Sequence, residues 1–261
     1  MTRFRPCIDL HAGQVKQIVG STLSDSGSGL KTNFVSDRDS AWYGDLYQKD
    51  GLPGGHVIML GPNNDDAAKA ALGAFPGGLQ LGGGIRPCNA EEYLAAGASH
   101  VIVTSYLFET DGTFSETRLN KMVAAAGKDR LVIDLSCKAT GDGWTVAMNR
   151  WQTLTDLHVT PETLKHLAAH CDEFLIHAVD VEGKCEGIDE ALVSFLGQHS
   201  PVAMTYAGGI HRIEDLHRIQ QLSDGRVDAT VGSALDLFGG SGVRYADLLA
   251  FNRRTSPNLP A

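Results

Sequence analysis

Two aspartates stand at equivalent places in the two halves of the chain. Asp9 lies in Cys7-Ile-Asp-Leu10, and Asp134 lies in Val132-Ile-Asp-Leu135, 125 residues further on. Each comes near the end of a short apolar run typical of a strand, and the carboxyl ends of parallel strands meet at one mouth of a barrel. Two carboxyl groups in different environments can act as acid and base. Either aspartate alone could simply cap a loop or pair with a nearby lysine, but their recurrence favours a catalytic pair.

Glycine-rich turns recur with the same spacing. Gly83 and Gly84 follow one apolar run, and Gly208 and Gly209 follow another 125 residues later. In each copy a helical pattern comes next, an arrangement in which backbone N–H groups can close around a phosphate. Close packing is the alternative reason for glycine at either place. Two copies half a chain apart predict a site that holds a substrate at both ends.

Serines at the ends of two other predicted strands complement the two glycine-rich turns. Ser105 and Ser233 end two further apolar runs, 128 residues apart, and Gly232 precedes the second serine. We therefore predict two phosphate-binding groups: Gly83, Gly84 and Ser105 on one side, and Gly208, Gly209, Gly232 and Ser233 on the other. Arg86, just after the first turn, either adds positive charge to it or is a solvated residue at a helix start.

Histidine and tryptophan supply further candidates. His177 ends an apolar run, where it either binds substrate at the mouth or makes a local hydrogen bond. Trp144 and Trp151 lie in the loop after the fifth predicted strand. An indole there can stack on a flat heteroaromatic ligand or form the core of the loop itself.

Two other side-chain patterns give only weak indications of function, one for a metal site and one for a Schiff-base lysine. His166 and His170 are four residues apart on a predicted helix, but no acid or third ligand accompanies them, so no metal site is predicted. Lys138 or Lys184 could form a Schiff base with a carbonyl substrate. Neither lysine lies within an apolar strand, and a lyase of this kind remains a minor alternative.

Eight short apolar runs, each followed by a stretch of helical period, must position these residues. The pattern indicates an α/β fold of the (β/α)8 TIM-barrel type with an internal two-fold half-barrel repeat. The predicted strands are Phe4–Leu10, His56–Leu60, Gly78–Leu81, His100–Ser105, Arg130–Leu135, Glu173–Ala178, Val202–Tyr206 and Val227–Val231. The predicted helices lie near Asp39–Asp50, Asp65–Ala74, Asn89–Ala96, Ser115–Ala126, Pro161–His170, Ile188–Gln198, Arg212–Leu222 and Val243–Asn252. We expect one domain over residues 1–261, with half-barrels at about 1–127 and 128–261.

Two loops are too long to be simple connectors. Gly20–Ser36 is rich in serine and glycine, and Thr140–Asp156 is aromatic and hairpin-like. Long loops in a barrel whose other connections are short usually cover a site.

Composition limits the partners and the compartment. With 22 basic and 31 acidic residues the net charge is −9, which argues against binding to nucleic acid or to a membrane surface. Five cysteines without C-x-x-C spacing favour a reducing compartment. The chain reaches a predicted strand at once, without a signal peptide pattern, and contains no apolar run of membrane-spanning length. We expect a cytoplasmic protein.

Several longer motifs carry a family resemblance. They are Cys7-Ile-Asp-Leu-His-Ala-Gly-Gln-Val-Lys16, Gly54-Gly-His-Val-Ile-Met-Leu-Gly61, Leu81-Gly-Gly-Gly-Ile-Arg86, Val132-Ile-Asp-Leu135, Val146-Ala-Met-Asn-Arg-Trp-Gln152, Tyr206-Ala-Gly-Gly-Ile210 and Val231-Gly-Ser-Ala-Leu235. Together they span nearly the whole chain. The sequence resembles the histidine-pathway isomerases that act on phosphoribosylformimino-AICAR phosphate, most closely their eukaryotic-type branch.

The resemblance implies an Amadori rearrangement of an aminoaldose to an aminoketose, without cofactor or metal. It assigns Asp134 as the general acid that opens the sugar ring and Asp9 as the base that removes the C2 proton. The substrate carries a phosphate at each end, which matches the two phosphate-binding groups, and Trp151 matches the family's stacking tryptophan better than Trp144. We expect a monomer whose partner is this small molecule.

The chain departs from the bacterial pattern of the family at two strands. His177 stands where threonine is usual, and the second predicted strand ends in Met59-Leu-Gly-Pro-Asn63 rather than an acidic motif. Both features resemble the eukaryotic-type branch, and the role of His177 stays open. The rival functions are the sister cyclase, which needs ammonia and carries a lysine-rich first loop, and a non-catalytic barrel that binds a phosphorylated ligand.

Overall fold

The computed structural model describes residues 1–18, 32–141, 143–149 and 151–255. In chain order its strands are β1 (Cys7–His11), β2 (Gln14–Ile18), β3 (Thr32–Val35), β4 (Gly55–Met59), β5 (Leu79–Gly82), β6 (His100–Val103), β7 (Leu131–Thr140), β8 (Gly143–Met148), β9 (Thr153–His158), β10 (Glu173–Ala178), β11 (Ala203–Ala207) and β12 (Asp228–Thr230).

Eight of these strands form a closed parallel barrel. Neighbouring strands pair in parallel in the order β1, β4, β5, β6, β7, β10, β11, β12. The ring closes where Phe4, just before β1, forms a parallel bridge with Ala229 of β12. The Arg5 N–H donates to the Ala229 carbonyl (2.8 Å), and the Ala229 N–H donates to the Arg3 carbonyl (2.9 Å). The predicted (β/α)8 barrel is confirmed.

An α-helix follows each barrel strand, as the apolar periodicity predicts. The helices are α1 (Ser40–Lys49), α2 (Asp65–Ala74), α3 (Pro87–Ala95), α4 (Glu116–Ala126), α5 (Pro161–Ala168), α6 (Glu190–His199), α7 (Ile213–Leu222) and α8 (Tyr245–Thr255). None of the helices in the described ranges has the length and apolar character needed to cross a membrane.

The two-fold repeat extends to the way two helices begin. Arg86 is the N-cap of α3, and its N–H donates to the side chain of Asn89 (2.8 Å). Arg212 is the N-cap of α7, and its N–H donates to the side chain of Asp215 (3.2 Å). In both cases the third helical residue accepts the hydrogen bond and so fixes the direction in which the chain leaves the glycine-rich turn.

Two antiparallel additions rise from the barrel. Strand β7 continues beyond the barrel and pairs with β8, which pairs with β9, so the hairpin predicted within Thr140–Asp156 is confirmed. After β1 the chain turns back as β2, which pairs with β3. The sequence reading missed β2 and β3 because their short, mixed polar segments show no continuous apolar run. Residues 20–31 of the predicted loop Gly20–Ser36 lie outside the described residues.

The barrel interior is filled in layers. Ile58, Ile102, Val132 and Leu175 form an apolar layer inside the ring. A much larger apolar cluster packs the outside of the sheet against the helices. Side chains inside a barrel of eight strands fill its axis, so the open space for a ligand lies at a mouth rather than through the centre.

A buried ionic group occupies the amino ends of the strands. The Glu173 carboxylate, only 4% exposed, accepts hydrogen bonds from Arg5 (3.2 Å), Gln80 (3.0 Å) and Thr205 (2.8 Å). Arg5 also pairs with Asp228 at 2.7 Å. Every oxygen of the buried carboxylate therefore has a partner, as burial of a charge requires.

Candidate active site

Asp9 lies on β1 near the carboxyl end of the strand, where it faces a cavity at the mouth. Its Oδ2 accepts a hydrogen bond from the side-chain amide of Gln17 on β2 (3.0 Å). Burial raises the pKa of Asp9 and the nearby charge of Glu182 adds to the rise, whereas His177 and the Gln17 hydrogen bond lower it. The result is a pKa of about 7. A carboxyl group with this pKa can gain or lose a proton near neutral pH.

Asp134 lies on β7, across the barrel from Asp9, and both of its oxygens have protein partners. His177 Nδ1 is 2.9 Å from Asp134 Oδ1. The Thr104 hydroxyl donates to Asp134 Oδ2 at 2.8 Å. The parallel register sets His177 of β10 opposite Ser136 and Leu175 opposite Asp134. This register places the histidine above the aspartate at the mouth.

His177 is surrounded by acidic groups. Burial lowers its pKa, but the charge and hydrogen bond of Asp134, followed by the charges of Glu182 and Asp9, raise it to about 9. The neighbouring His56 of β4 behaves in the opposite way, because burial and then the charges of His177 and Arg5 lower its pKa to about 3. At neutral pH, His177 is therefore a cation and His56 is neutral.

Glu182 is a third carboxyl group that the sequence analysis missed. It lies in the turn after β10, and its Oε2 is buried with no hydrogen-bond partner in the described part of the chain. Burial raises its pKa, the charge of His177 lowers it, and Asp134 raises it. A buried carboxylate oxygen without a partner is unusual in a folded protein, and here Glu182 lines the cavity at the mouth.

One cavity at the mouth joins Asp9 and His177 to the second predicted phosphate-binding group. It encloses about 480 Å³, including the part open to solvent. Its lining includes Asp9, Gln17, His56, His177, Glu182, Gly208, Gly209, Ile210, Gly232 and Ser233. Asp134 contributes no lining atom and reaches the cavity through His177.

The glycines of this second group are required by close packing as well. A Cβ on Gly209 would lie 1.9 Å from the Gly187 carbonyl oxygen, and one on Gly232 would lie 2.7 Å from the side-chain oxygen of Gln17. A larger residue at position 209 would displace the loop after β10. A larger residue at position 232 would displace the Gln17 side chain, which hydrogen-bonds to Asp9. Close packing is therefore sufficient reason for glycine at these two positions, and their role in phosphate binding stays a prediction.

The first predicted group occupies the opposite pair of strands. Gly83 and Gly84 follow β5, and Ser105 follows β6. Gly83 is packed against β4, because its Cβ would lie 2.2 Å from the Met59 carbonyl oxygen, whereas a Cβ on Gly84 would meet no atom within 4 Å. Ser105, Gly84 and Arg86 are exposed. These residues do not line the cavity around Asp9.

The two tryptophans of the hairpin have different surroundings. The ring of Trp151 lies 6.3 Å from that of His177, between centroids. The indole N–H of Trp144 instead donates to Asp189 (3.0 Å), and its ring packs on Phe195 of α6. Trp151 is therefore the tryptophan beside His177.

The lysines and the surface histidines lie away from the cavity. Lys138 pairs with Asp180 at 3.3 Å, and the Lys184 side chain is exposed; neither lines the cavity. The statement that His166 and His170 lack an acidic neighbour is wrong. Glu116 of α4 approaches them, a contact between two helices that spacing within one helix does not reveal.

Four residues that shape the site were missed because their roles depend on tertiary contacts. They are Gln17, His56, Thr104 and Glu182. Thr104 lies just before Ser105, at the end of the same predicted strand, so its position gave a usable signal. A polar residue such as His56 within an otherwise apolar strand also points inward, where it needs a partner.

The chain is a closed (β/α)8 barrel with ionisable groups at one mouth, on strands that face each other across the ring. This arrangement is typical of barrel enzymes that use acid–base catalysis. Residues 3–240 match the family described as histidine biosynthesis protein. The chain belongs to this family.

Relatives are similar along nearly the whole chain. A Neurospora crassa protein is 55% identical over 257 residues, covering 97% of this chain and 100% of its own length. A Saccharomyces cerevisiae protein is 51% identical, with 97% and 99% covered. A Medicago truncatula protein, named as chloroplastic, is 51% identical, with 97% and 82% covered. All three are named 1-(5-phosphoribosyl)-5-((5-phosphoribosylamino)methylideneamino)imidazole-4-carboxamide isomerase.

Proposed function

We infer that this chain is the aldose–ketose isomerase of histidine biosynthesis, which converts the phosphoribosylformimino derivative of aminoimidazole carboxamide ribonucleotide into its phosphoribulosyl form. The family and the shared name of the relatives support this function. Within the molecule, the observation that carries it is the joint presence of Asp9 and His177 on one cavity, with Asp134 behind the histidine. Ring opening and enolisation need an acid and a base at neighbouring sugar atoms.

The chemistry divides between the two sides of the mouth. A proton from the Asp134 side passes to the ring oxygen of the ribose, and the ring opens to an imine. The Asp9 carboxylate then removes the proton from C2, which gives an enolamine. The C2 hydroxyl loses its proton while C1 gains one, and the product is the aminoketose. Two protons leave and two are added, so the rearrangement is balanced without a redox partner.

The two ends of the substrate would be held by the two glycine groups. Gly208, Gly209, Gly232 and Ser233 adjoin Asp9 on the cavity wall and suit one phosphate. Gly83, Gly84 and Ser105, with Arg86 at the helix start, suit the other on the opposite strands. Binding energy from both phosphates would place the sugar between the catalytic groups.

Trp151 would stack on the aminoimidazole carboxamide. Its ring lies next to His177, and the hairpin that carries it rises from β7, which also carries Asp134. The heteroaromatic ring of the substrate, stacked on the Trp151 indole, would gain contact area without needing a charge of its own.

We propose that the enzyme acts in the cytoplasm as a monomer, with its small bis-phosphorylated substrate as partner and without nucleic acid. All five cysteines are unpaired, which suits a reducing compartment. Cell fractionation tests the compartment, because one relative is named as chloroplastic. Light scattering on the purified protein tests the monomer, and a dimeric mass would refute it.

Turnover of the aminoaldose by purified protein, followed by NMR with ammonia and glutamine omitted, tests the function. We expect conversion to the aminoketose, unaffected by a metal chelator. A requirement for ammonia would instead indicate the cyclase. Binding without turnover would indicate a ligand-binding barrel, and a borohydride-trapped adduct on Lys138 or Lys184 would indicate a lyase.

A further inference from the structure

The proton donor on the Asp134 side can be assigned more closely from the surroundings of that carboxylate. Asp134 is only 12% exposed, and its two oxygens face His177 Nδ1 at 2.9 Å and the donating Thr104 hydroxyl at 2.8 Å. Both carboxylate oxygens are therefore engaged by neighbouring side chains. Asp134 does not line the cavity, whereas His177 does.

His177 stands between this carboxylate and the cavity. Its Nδ1 is hydrogen-bonded to Asp134 Oδ1. No side chain in the described ranges hydrogen-bonds to its Nε2. The residue lines the cavity, as Asp9 does. A histidine whose Nδ1 is oriented by a carboxylate and whose Nε2 faces the substrate has the geometry of a general acid or base.

We propose that the imidazolium of His177 delivers the proton to the ring oxygen of the sugar, and that Asp134 is the positioning residue behind it. This inference rests on the proposed isomerase function and revises the acid assignment that the resemblance implies. His177 Nε2–H gives its proton to the ring oxygen as the C1–oxygen bond breaks. Neutral His177 then takes the C2 hydroxyl proton as the ketone forms. Asp9 takes the C2 proton and returns a proton to C1, so both groups end in their starting states.

Groups on four elements face the imidazole and decide its charge. Asp134 on β7, Glu182 in the turn after β10 and Asp9 on β1 favour the cation, while His56 on β4 is neutral at this pH. Burial opposes the charge but is outweighed, and the pKa of His177 is about 9. The imidazole therefore carries its proton at neutral pH, where Asp9 can be ionised.

The test compares pH–rate profiles of His177→Gln and Asp134→Asn with the wild type. His177→Gln should lower kcat by about 100- to 10,000-fold and remove the alkaline limb near pH 9. Asp134→Asn should keep measurable activity with the alkaline limb moved to lower pH, because the imidazolium loses its principal counter-charge. Added imidazole should partly restore His177→Ala, but not Asp9→Asn.

Controls separate this proposal from folding effects and from the function itself. His100→Gln removes a similar histidine–carboxylate pair, His100 with Asp172 (3.2 Å), at the start of β6, and should leave the profile unchanged. Calorimetry with the ketose product verifies that the variants bind. If the wild type isomerises substrate while Asp134→Asn is dead at every pH and His177→Gln keeps the alkaline limb, the assignment is wrong. A wild type without isomerase activity would instead refute the proposed function.

A second, independent feature lies on the outer helices. Glu116 of α4 and the pair His166 and His170, in and after α5, place one donor atom each within 4.8 Å of one another. His166 Nε2 is 2.6 Å from Glu116 Oε1, and the two imidazole rings are 5.4 Å apart between centroids. Two imidazoles and a carboxylate are the donor set that suits Zn²⁺, which binds at about 2.0–2.2 Å from each ligand.

The geometry points to a surface zinc site that joins α4 to α5, with water completing the coordination. Tetrahedral ligand atoms lie about 3.3 Å apart at these bond lengths. His166 Nε2 and Glu116 Oε1 would therefore move slightly apart, and the donor atom of His170 would adjust to them. All three side chains are at least partly exposed, so their rotamers can adjust. The site lies among residues that no catalytic step uses.

Calorimetry of untagged protein with zinc chloride tests this second proposal. We expect one Zn²⁺ per chain, a raised melting temperature with zinc present, and loss of both effects in His166→Gln and His170→Gln. His217→Gln, which removes a helical histidine on α7, serves as the control. Unchanged zinc binding in the two variants would overturn the proposal, and so would no binding in the wild type.

Discussion

Replacement of Gly84 by alanine provides the sharpest test of the first phosphate-binding group. Gly84 has φ +77° and no atom within 4 Å of where a Cβ would stand. Gly77 precedes the same strand β5 with φ +72° and equally open surroundings. Alanine at either position therefore carries a similar backbone cost and no clash. Only Gly84 lies at the mouth where the substrate would bind.

The expected magnitudes follow from these surroundings. A non-glycine residue with positive φ costs about 1–2 kcal/mol, so each variant should melt roughly 2–8 °C below the wild type. At Gly84 the added methyl group would stand in the open space beside the turn proposed to bind a phosphate. Loss of one hydrogen bond to a charged group costs about 1.5–3 kcal/mol, which corresponds to about a 10- to 150-fold fall in kcat/KM. Gly77→Ala should retain the wild-type value.

Steady-state kinetics on the aminoaldose and thermal melting of the two variants give the comparison. The fall should appear in both KM and kcat, because the phosphate contact also positions the sugar. Equal kcat/KM in Gly84→Ala and Gly77→Ala, with equal losses in melting temperature, would refute the placement of a phosphate at Gly84.

Three further predictions follow from other parts of the structure. Asp9→Asn should lower kcat by at least about 100-fold while calorimetry still detects product binding; turnover near the wild-type rate would exclude Asp9 as the base. Glu182→Gln removes a negative charge that raises the pKa of both Asp9 and His177, so both limbs of the pH–rate profile should move to lower pH, by about one unit; an unmoved acid limb would contradict this electrostatic role. Glu173→Gln removes the more deeply buried of the two carboxylates paired with Arg5 and should cost up to about 3 kcal/mol of stability with little change in kcat, which denaturant unfolding and kinetics can separate.

The sequence was most informative where a local pattern has a physical cause. Apolar runs followed by helical periods arise because each β/α unit buries one sheet segment under one helix, so all eight units could be predicted. The echo of Asp9 at Asp134 and of Gly83 at Gly208 reflects the doubled fold. The start of α5 was also predictable, since Thr160 caps the helix and Pro161 takes its first position.

The sequence was least informative where partners come from distant segments. Gln17 reaches Asp9 from a hairpin that shows little apolar periodicity, and Glu182 reaches the cavity from a turn. Glu116 meets His166 from another helix. None of these contacts leaves a spacing pattern, because the residues involved share neither a helix face nor a strand.

The sequence by itself determined the barrel, the two strand-end aspartates and the family to which the chain belongs, because these depend on periodicity and on motifs. Only the tertiary structure decided which side chains contact one another at the mouth of the barrel. It set His177 between Asp134 and the cavity, brought Trp151 rather than Trp144 to that histidine, and buried Asp9 beside Glu182. Charge, burial and hydrogen bonding across strands fix which group holds a proton, and these quantities exist only once the barrel has closed.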